Sequence, residues 1–181
     1  MASEEIKTTE EQTFRLTREF LEDGEYLRYL VRRFMIDRTE ENLIAILAIL
    51  RDSLVWIPCN LVMSAADQSM LEQMVHDSGE NEAGLSDLVG KQFTTNDAVR
   101  LIPDILQRDE EYFFPVFSSV EAMGEYGDHF SKVQKHMLEA IALARGNERH
   151  PGAIVLNAFS EAFVLDHELW GIIEQMDSSL A

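Results

Sequence analysis

Cysteine, basic residues and long apolar runs are all scarce in this sequence of 181 residues. Its single cysteine, Cys59, excludes an intramolecular disulfide and fits a reducing compartment, so we expect a cytoplasmic protein. The first residues are acidic and polar, unlike a secretory signal, and the longest apolar run, 43–50, is too short to cross a bilayer. We therefore expect no association with a membrane.

The low number of basic residues gives the chain a strong negative charge. Asp and Glu number 33 against 15 Lys and Arg, so the formal net charge is -18. Such a surface repels phosphate backbones and anionic lipid, which argues against nucleic acid as a partner and favours a basic protein. Nine glycines, four prolines and 46% hydrophobic residues are ordinary values for one folded domain.

The first helical patterns lie between residues 9 and 35, where Gly24 predicts a break between two amphipathic helices. Thr9 and Gln12 predict a capping box for the first of them. The second helix has one apolar stripe, which either covers a sheet or pairs with a second copy of the chain in a homodimer. The stripe consists of Leu27, Leu30, Val31 and Phe34. Residues 1–38 are thus predicted to be an amino-terminal helical extension of a domain over 39–181.

The next segments predict a helix, a strand and a loop. Thr39 is typical of a helix cap and predicts a third helix over 40–51. Residues 54–63 are rich in β-formers around Pro58, which predicts the first strand. A further helix is predicted from residue 65 to 74. Polar residues without periodicity over 76–96 predict a long exposed loop.

The second half alternates strand and helix patterns. Residues 101–106 and 112–117 flank a short polar segment and predict a β-hairpin. Two more strands are predicted over 153–156 and 162–165, around the turn that begins at Asn157. The order of these elements predicts a mixed α/β or α+β fold, with a single mixed sheet flanked by helices.

Three later helices are predicted from capping residues and periodicity. Ser118 and Glu121 form a Ser-x-x-Glu capping box for a short helix that ends near Gly124. Apolar residues at helical spacing predict a long helix over 128–145. Asp166 is expected to cap the last helix.

The sequence has no assembled catalytic motif, and we expect no catalytic residue, cofactor or metal site. Cys59 lies in an apolar strand context, which favours a buried core cysteine over a nucleophile. His129 and His136 are two helical turns apart on the predicted helix, too far to share one metal ion. The cluster Asp166-His-Glu168 has metal-binding donors, but Asp166 is already explained as a helix cap.

Two groups of residues are candidates for binding. Arg28, Arg32 and Arg33 form the one basic concentration in the chain, and we favour ion pairs within the chain over binding of a phosphate or an acidic partner. The partners expected for these ion pairs are Glu19, Glu22, Asp23 and Glu25. Three large aromatic residues are either contacts to a protein partner or core residues, and the sequence leaves both open. They are Trp56, Phe159 and Trp170.

Three segments carry a resemblance to a known family. They read Leu54-Val-Trp-Ile-Pro58, Tyr112-Phe-Phe-Pro-Val-Phe-Ser-Ser119 and Ala153-Ile-Val-Leu-Asn-Ala-Phe-Ser-Glu-Ala-Phe-Val-Leu165. Over about residues 40–176 the chain resembles the SseB protein amino-terminal domain family, although Asn157-Ala158 stands where the family commonly has Asn-Pro. The resemblance implies an intracellular α/β module engaged in protein interactions. It brings no enzymatic activity, cofactor or functional residue with it.

These observations lead to three hypotheses about function. The first is a non-enzymatic protein-interaction module of SseB type. The second is an immunity-like or inhibitory protein that binds a basic toxin or nuclease by charge complementarity. The third is a small-molecule binder or enzyme that uses a cleft beside the sheet.

Overall fold

The computed structural model describes residues 17–77 and 99–180. The predicted capping box of Thr9 and Gln12 and nearly all of the predicted loop 76–96 lie outside these residues. In the described part, the helices are α1 (Arg18–Leu21), α2 (Glu25–Ile36), α3 (Glu40–Asp52), α4 (Ala65–Asp77), a 3-10 helix (Glu121–His129), α5 (Met137–Arg145) and α6 (His167–Gln175). The strands are β1 (Leu54–Val62), β2 (Arg100–Pro103), β3 (Leu106–Arg108), β4 (Glu111–Val116), β5 (Ser131–His136), β6 (Ala153–Leu156) and β7 (Phe163–Asp166).

The mixed α/β class is confirmed, but the described strands form two sheets rather than the predicted single one. One sheet has the order β2-β1-β5 and is antiparallel. The other has the order β3-β4-β6-β7, with β4 parallel to β6. The two sheets are joined by a bridge in which Trp56 and Phe117 exchange backbone hydrogen bonds of 2.8 and 2.9 Å.

Two prolines each lie at a point where their strand is paired with a neighbouring strand on one side only. Pro58 of β1 pairs with β5, whereas β2 pairs with β1 only from Cys59 onward. Pro115 of β4 pairs with β6, whereas β3 pairs with β4 only as far as Phe113. A proline has no backbone N–H to donate, so each can occupy a strand that has no partner on one side at that point.

The predicted hairpin over 101–106 and 112–117 is confirmed in its second half only. The strand that forms the hairpin with β4 is 106–108, which lies mostly in the segment predicted as the connection. Residues 100–103 instead pair with β1, and the backbone N–H of Asp104 extends this pairing by donating to the carbonyl of Pro58. The predicted strands near 153–156 and 162–165 are confirmed as β6 and β7.

The helix predicted over 128–145 was wrong in its first half. Residues 131–136 form β5, which pairs with β1 from Leu54 to Cys59, and the helix begins only at Met137. His136 caps it, since its Nδ1 accepts from Leu138 N at 3.4 Å while Glu139 accepts from His136 N at 3.2 Å. His129 and His136 therefore do not share a helix.

Three other predicted helix caps can be compared with the hydrogen bonds in the structure. Thr39 accepts from Asn42 N at the start of α3, and Asp166 accepts from Leu169 N at the start of α6, as predicted. The capping box of Ser118 and Glu121 was wrong, because the hydroxyl that accepts from the first turn, from Ala122 N, belongs to Ser119. Gly24 separates α1 from α2 with a left-handed φ of 70°, which confirms the predicted break.

One hydrophobic core lies between the helices and one face of the sheets. The apolar stripe of α2 is part of it: Leu27, Leu30 and Val31 are buried, and the Phe34 ring lies edge-on against Phe163 at 5.7 Å. The stripe therefore packs inside the chain and is not available for the predicted homodimer contact. The described part of the predicted extension, α1 and α2, shares this core with the rest of the domain.

Candidate functional site

A second, smaller group of aromatic side chains lies on the other face of the sheets. Phe117 is fully buried there, and its ring stacks with that of Phe159 at 6.0 Å and an interplanar angle of 19°. Tyr126 contacts Phe159 at 4.6 Å and Phe130 at 4.8 Å. Phe159 is nevertheless 54% exposed. We call the group of Phe159, Tyr126, Phe130 and the adjacent Glu121 the Phe159 patch.

The turn that carries Phe159 is fixed by buried hydrogen bonds. Asn157 is fully buried and takes a left-handed φ of 51°, a conformation that asparagine tolerates better than most residues. Its Oδ1 accepts from Ser118 N at 2.9 Å, and its Nδ2 donates to Ser118 Oγ at 3.1 Å. The backbone N–H of Asn157 donates to Val116, and that of Ser160 donates back to Asn157. Phe159 is therefore an exposed aromatic residue on a turn with little freedom to move.

Ser118 is held from the other side by the helical segment. Gly24, between α1 and α2, is so close that a Cβ built on it would lie 2.5 Å from the carbonyl oxygen of Ser118. Only a glycine fits this approach and also adopts the left-handed φ without strain. Gly24, Ser118 and Asn157 thus form one packed junction beneath the Phe159 patch.

A recess of about 390 Å³ lies beside Phe159. Its lining includes Arg28 and Glu121, together with Gly124 and Ser160. Hydrogen bonds from its own backbone N–H and from Ser119 lower the pKa of Glu121, so its carboxylate stays ionised near neutral pH. The recess thus combines one aromatic wall with an exposed negative charge.

Two of the three arginines of α2, Arg28 and Arg32, form ion pairs within the chain, as predicted, although their main partner is distant in sequence. Arg28 pairs with Glu25 at 2.8 Å, one of the expected acids. Arg32 Nε donates to Glu161 Oε1 at 2.6 Å, and Arg28 Nε lies 3.7 Å from Glu161 Oε2. The hydrogen bond from Arg32 lowers the pKa of Glu161 against the effect of burial. These pairs attach α2 to the segment directly after Phe159.

The three aromatic residues that are candidates for partner contact differ in their exposure to solvent. Phe159 is exposed, and Trp56 is half-buried on the face of β1 opposite the core residues Val55 and Ile57. Trp170 is fully buried, and its Nε1 donates to the carbonyl of Leu165 at 2.7 Å. Trp170 is therefore a core residue and cannot contact a partner, whereas the other two lie at the surface.

The groups that the sequence offered for catalysis have structural roles. Cys59 is 3% exposed and its Sγ lies 3.7 Å from the carbonyl of Ile57, while burial and the charge of Asp104 raise the pKa of the thiol. The prediction that Cys59 is a buried core residue is confirmed. Within residues 17–77 and 99–180, no group of three or more histidine, cysteine, aspartate or glutamate side chains is arranged to hold a metal ion.

A separate cleft of about 840 Å³ lies between β2 and the residues that follow α5. Its lining carries both charges, with Arg100 and Arg149 against Asp104 and Glu148. Asp104 also accepts hydrogen bonds from Asn60 Nδ2 at 3.0 Å and from the hydroxyl of Tyr126. Burial and the bond to Asp104 raise the pKa of Tyr126, so its phenol stays protonated. Tyr126, a member of the Phe159 patch, is therefore hydrogen-bonded to Asp104, which lines the cleft.

The described residues form an α/β domain in which α1, α2, α3, α5 and α6 cover one face of the sheets and the other face bears a fixed, exposed aromatic group. The model of one family, the SseB protein N-terminal domain, matches residues 27–169. The chain belongs to the SseB protein N-terminal domain family, as the sequence motifs predicted. The match begins inside α2 rather than near residue 40, in agreement with the packing of α2 in the core.

The comparisons with individual proteins found no relative of the chain. Neither the curated proteins nor the solved structures contain a significant match to the chain.

Among the helices of the described residues, none combines the length and apolar character needed to cross a bilayer.

Phe159 is a candidate from the sequence alone, whereas the residues that hold it in place are identified only by the structure. The sequence predicts Asn157 only as the first residue of a turn, and no pattern in the sequence connects Tyr126 or Glu121 with Phe159. One signal for the role of Asn157 is visible in the sequence: an asparagine directly follows a fully apolar strand. An asparagine that is buried beside such a strand must find hydrogen-bond partners. Its partner, Ser118, is far away in sequence, so no local pattern could identify it.

Proposed function

We propose that this protein is a non-enzymatic protein-interaction module that binds its partner through the Phe159 patch. The observation that carries the proposal is that Phe159 is largely exposed and yet rigidly placed. Binding energy at protein interfaces is concentrated in a few aromatic and arginine residues, and a side chain that is already ordered loses little entropy on binding. An exposed ring on a fixed turn, backed by a buried ring, meets both conditions.

The net charge of -18 indicates the kind of protein that the patch would bind. Complementary charge speeds association and disfavours partners of the same sign, so a basic protein is the expected partner. A basic toxin or nuclease, masked by this acidic domain, is one such partner and the more specific form of the proposal. We place this binding in the cytoplasm, on the evidence of the single cysteine.

The test is affinity purification of the tagged full chain from its native cells, at low and at high salt, with mass spectrometry of the bound proteins. The wild-type chain is compared with Phe159→Ala and with Ile172→Ala, a matched change of an exposed apolar residue on α6 that is not part of the patch. We expect one basic protein that Phe159→Ala loses and Ile172→Ala retains. A partner retained equally by both variants would place the interface elsewhere and contradict the proposal.

Small-molecule binding in the cleft lined by Arg100 and Arg149 is the second candidate. Its volume of about 840 Å³ lies within the usual range for ligand sites, and both positive and negative side chains converge there. Native mass spectrometry of the freshly purified chain tests this candidate. A bound small molecule that is absent from the Arg149→Ala variant would favour the cleft over the Phe159 patch.

A further inference from the structure

The chain places its own arginines over several of its aromatic rings. The guanidinium carbon of Arg108 lies 5.9 Å from the centre of the Phe113 ring, and that of Arg149 lies 5.6 Å from the centre of the Tyr112 ring. Arg145 lies over Trp170 in the same way, at 5.9 Å. An arginine at such a distance is attracted by the electron-rich face of the ring.

Phe159 differs from these rings. One face of it stacks on Phe117, and Tyr126 lies against it, while more than half of its surface is exposed. Neither an arginine nor a lysine from residues 17–77 and 99–180 lies over its ring. The ring therefore has an exposed surface that a cation from another molecule can reach.

The charges around the ring favour such a cation. Five carboxylates lie on the recess, on the 3-10 helix beside it or in the ion pairs next to it, against four basic side chains on these features or at the start of β5. The acids are Glu25, Glu121, Glu125, Asp128 and Glu161, and the bases are Arg28, Arg32, His129 and Lys132. Arg28 and Arg32 are already paired with Glu25 and Glu161. Glu121, on the recess itself, has no basic side chain of the described residues as its partner.

We propose that the Phe159 patch binds an arginine of a basic protein partner, with the guanidinium group over the exposed face of Phe159 and paired with the carboxylate of Glu121. This inference rests on the proposed function and adds the chemistry of the contact. Arginine fits better than lysine because its planar group both stacks on a ring and pairs with a carboxylate through two N–H donors. In the described residues, the three rings that lie under a cationic side chain all lie under an arginine.

The first experiment titrates the isotope-labelled full chain with a Gly/Ser peptide that carries spaced arginines, and follows the backbone amide signals by NMR. The control peptide has citrulline at the same positions, which keeps the shape of arginine and removes its charge. We expect the signals of Phe159, Ser160 and Glu121 to shift with the arginine peptide and not with the citrulline peptide. Equal shifts with both peptides, or shifts confined to other residues, would overturn the inference.

Matched variants then locate the contact. Phe159→Leu keeps an apolar side chain but removes the ring, and we expect it to weaken binding of the arginine peptide about twofold to fivefold. Glu121→Gln should weaken binding by a similar factor and reduce its dependence on salt. Tyr29→Leu is the control, since Tyr29 is also an exposed ring stacked on another one, Tyr26. Equal losses from Tyr29→Leu and Phe159→Leu would contradict the assignment to the patch.

The two proposals can fail separately. If the partner found by affinity purification is lost with Phe159→Ala but is retained in full by Phe159→Leu and Glu121→Gln, the interaction surface stands and the arginine contact is wrong. If Phe159→Ala retains the partner, the proposed function itself is wrong.

Discussion

Asn157 and Ser118 exchange two hydrogen bonds in the interior of the domain, although 39 positions separate them in sequence. The pair connects the end of β6 with the chain directly after β4, the two strands that run parallel. Each bond satisfies a polar group that would otherwise be buried without a partner. This pair determines where Phe159 lies.

Replacement of Asn157 by alanine should destabilise the domain and disorder the Phe159 patch. The change leaves Ser118 N–H buried without an acceptor and places a non-glycine residue without a polar side chain at a positive φ. Together these effects should lower the free energy of unfolding by about 2–4 kcal/mol, measured in urea. Asn157→Gly should lose less, because glycine accepts the positive φ. Equal losses would show that the backbone conformation contributes nothing.

Replacement of Gly24 by alanine should also be destabilising. The new Cβ would lie 2.5 Å from the carbonyl oxygen of Ser118, and the φ of 70° disfavours any side chain. We expect a loss of about 2–4 kcal/mol in the free energy of unfolding. Gly171→Ala is the control, because Gly171 lies inside α6 with nothing within 4 Å of its Cβ position, and it should gain about 0.5–1 kcal/mol. Similar effects at both positions would contradict the close approach.

The stability of the domain should depend on pH through Asp52. This buried carboxylate accepts hydrogen bonds from Ser179 N at 2.7 Å, from the hydroxyls of Ser178 and Ser179 and from Arg51. Burial alone would raise its pKa, but the bonds from Ser179, Ser178 and Arg51 lower it below the ordinary value of 3.8. A lowered pKa in the folded state stabilises the fold above pH 3.8, and this contribution is lost as the pH falls through the pKa of the folded state.

Asp52→Asn should therefore cost about 1–3 kcal/mol in the free energy of unfolding at pH 7. The difference from the wild type should shrink as the pH falls below 3.8, because the wild-type carboxyl then becomes protonated. Urea unfolding at a series of pH values measures it. Asp177→Asn, an exposed position in the same segment, should leave stability unchanged. A difference that grows as the pH falls would mean that folding raises the pKa of Asp52 instead of lowering it.

The thiol of Cys59 should not react in the folded protein. It is buried in β1, and its raised pKa keeps it protonated, whereas thiol reagents attack the thiolate. We expect a colorimetric disulfide reagent to label it only after denaturant is added. Rapid labelling of the native chain would show that β1 opens readily or that Cys59 is accessible.

Local patterns in the sequence predicted the elements whose ends depend on local contacts. Thr39 and Asp166 cap helices through hydrogen bonds to residues three positions further on, so the caps are visible in a short window. The first half of the predicted helix over 128–145 failed for the opposite reason. Val133 fits the apolar spacing of α5 by coincidence, but β1 pairs with its segment and makes it a strand.

The dependence on contacts with distant segments also limits what the sequence predicts about the candidate site. The aromatic character of Phe159 and its position in a turn are properties of the sequence, and they made it a candidate. Trp170, an aromatic residue of the predicted last helix, is equally a candidate from the sequence but is buried, because exposure depends on how distant segments pack around a ring. The chemistry of a side chain can be read from the sequence, but its accessibility depends on the packing of distant segments.

The parallel pairing of β4 with β6 also bears on how the chain folds during its synthesis. β6 lies between β4 and β7 in the sheet, yet the ribosome makes it only after the 3-10 helix, β5 and α5. Until then the apolar strand β4 has an open edge, which is a site for pairing with other chains. The nascent chain is therefore most vulnerable to aggregation from the emergence of β4 until β6 is complete.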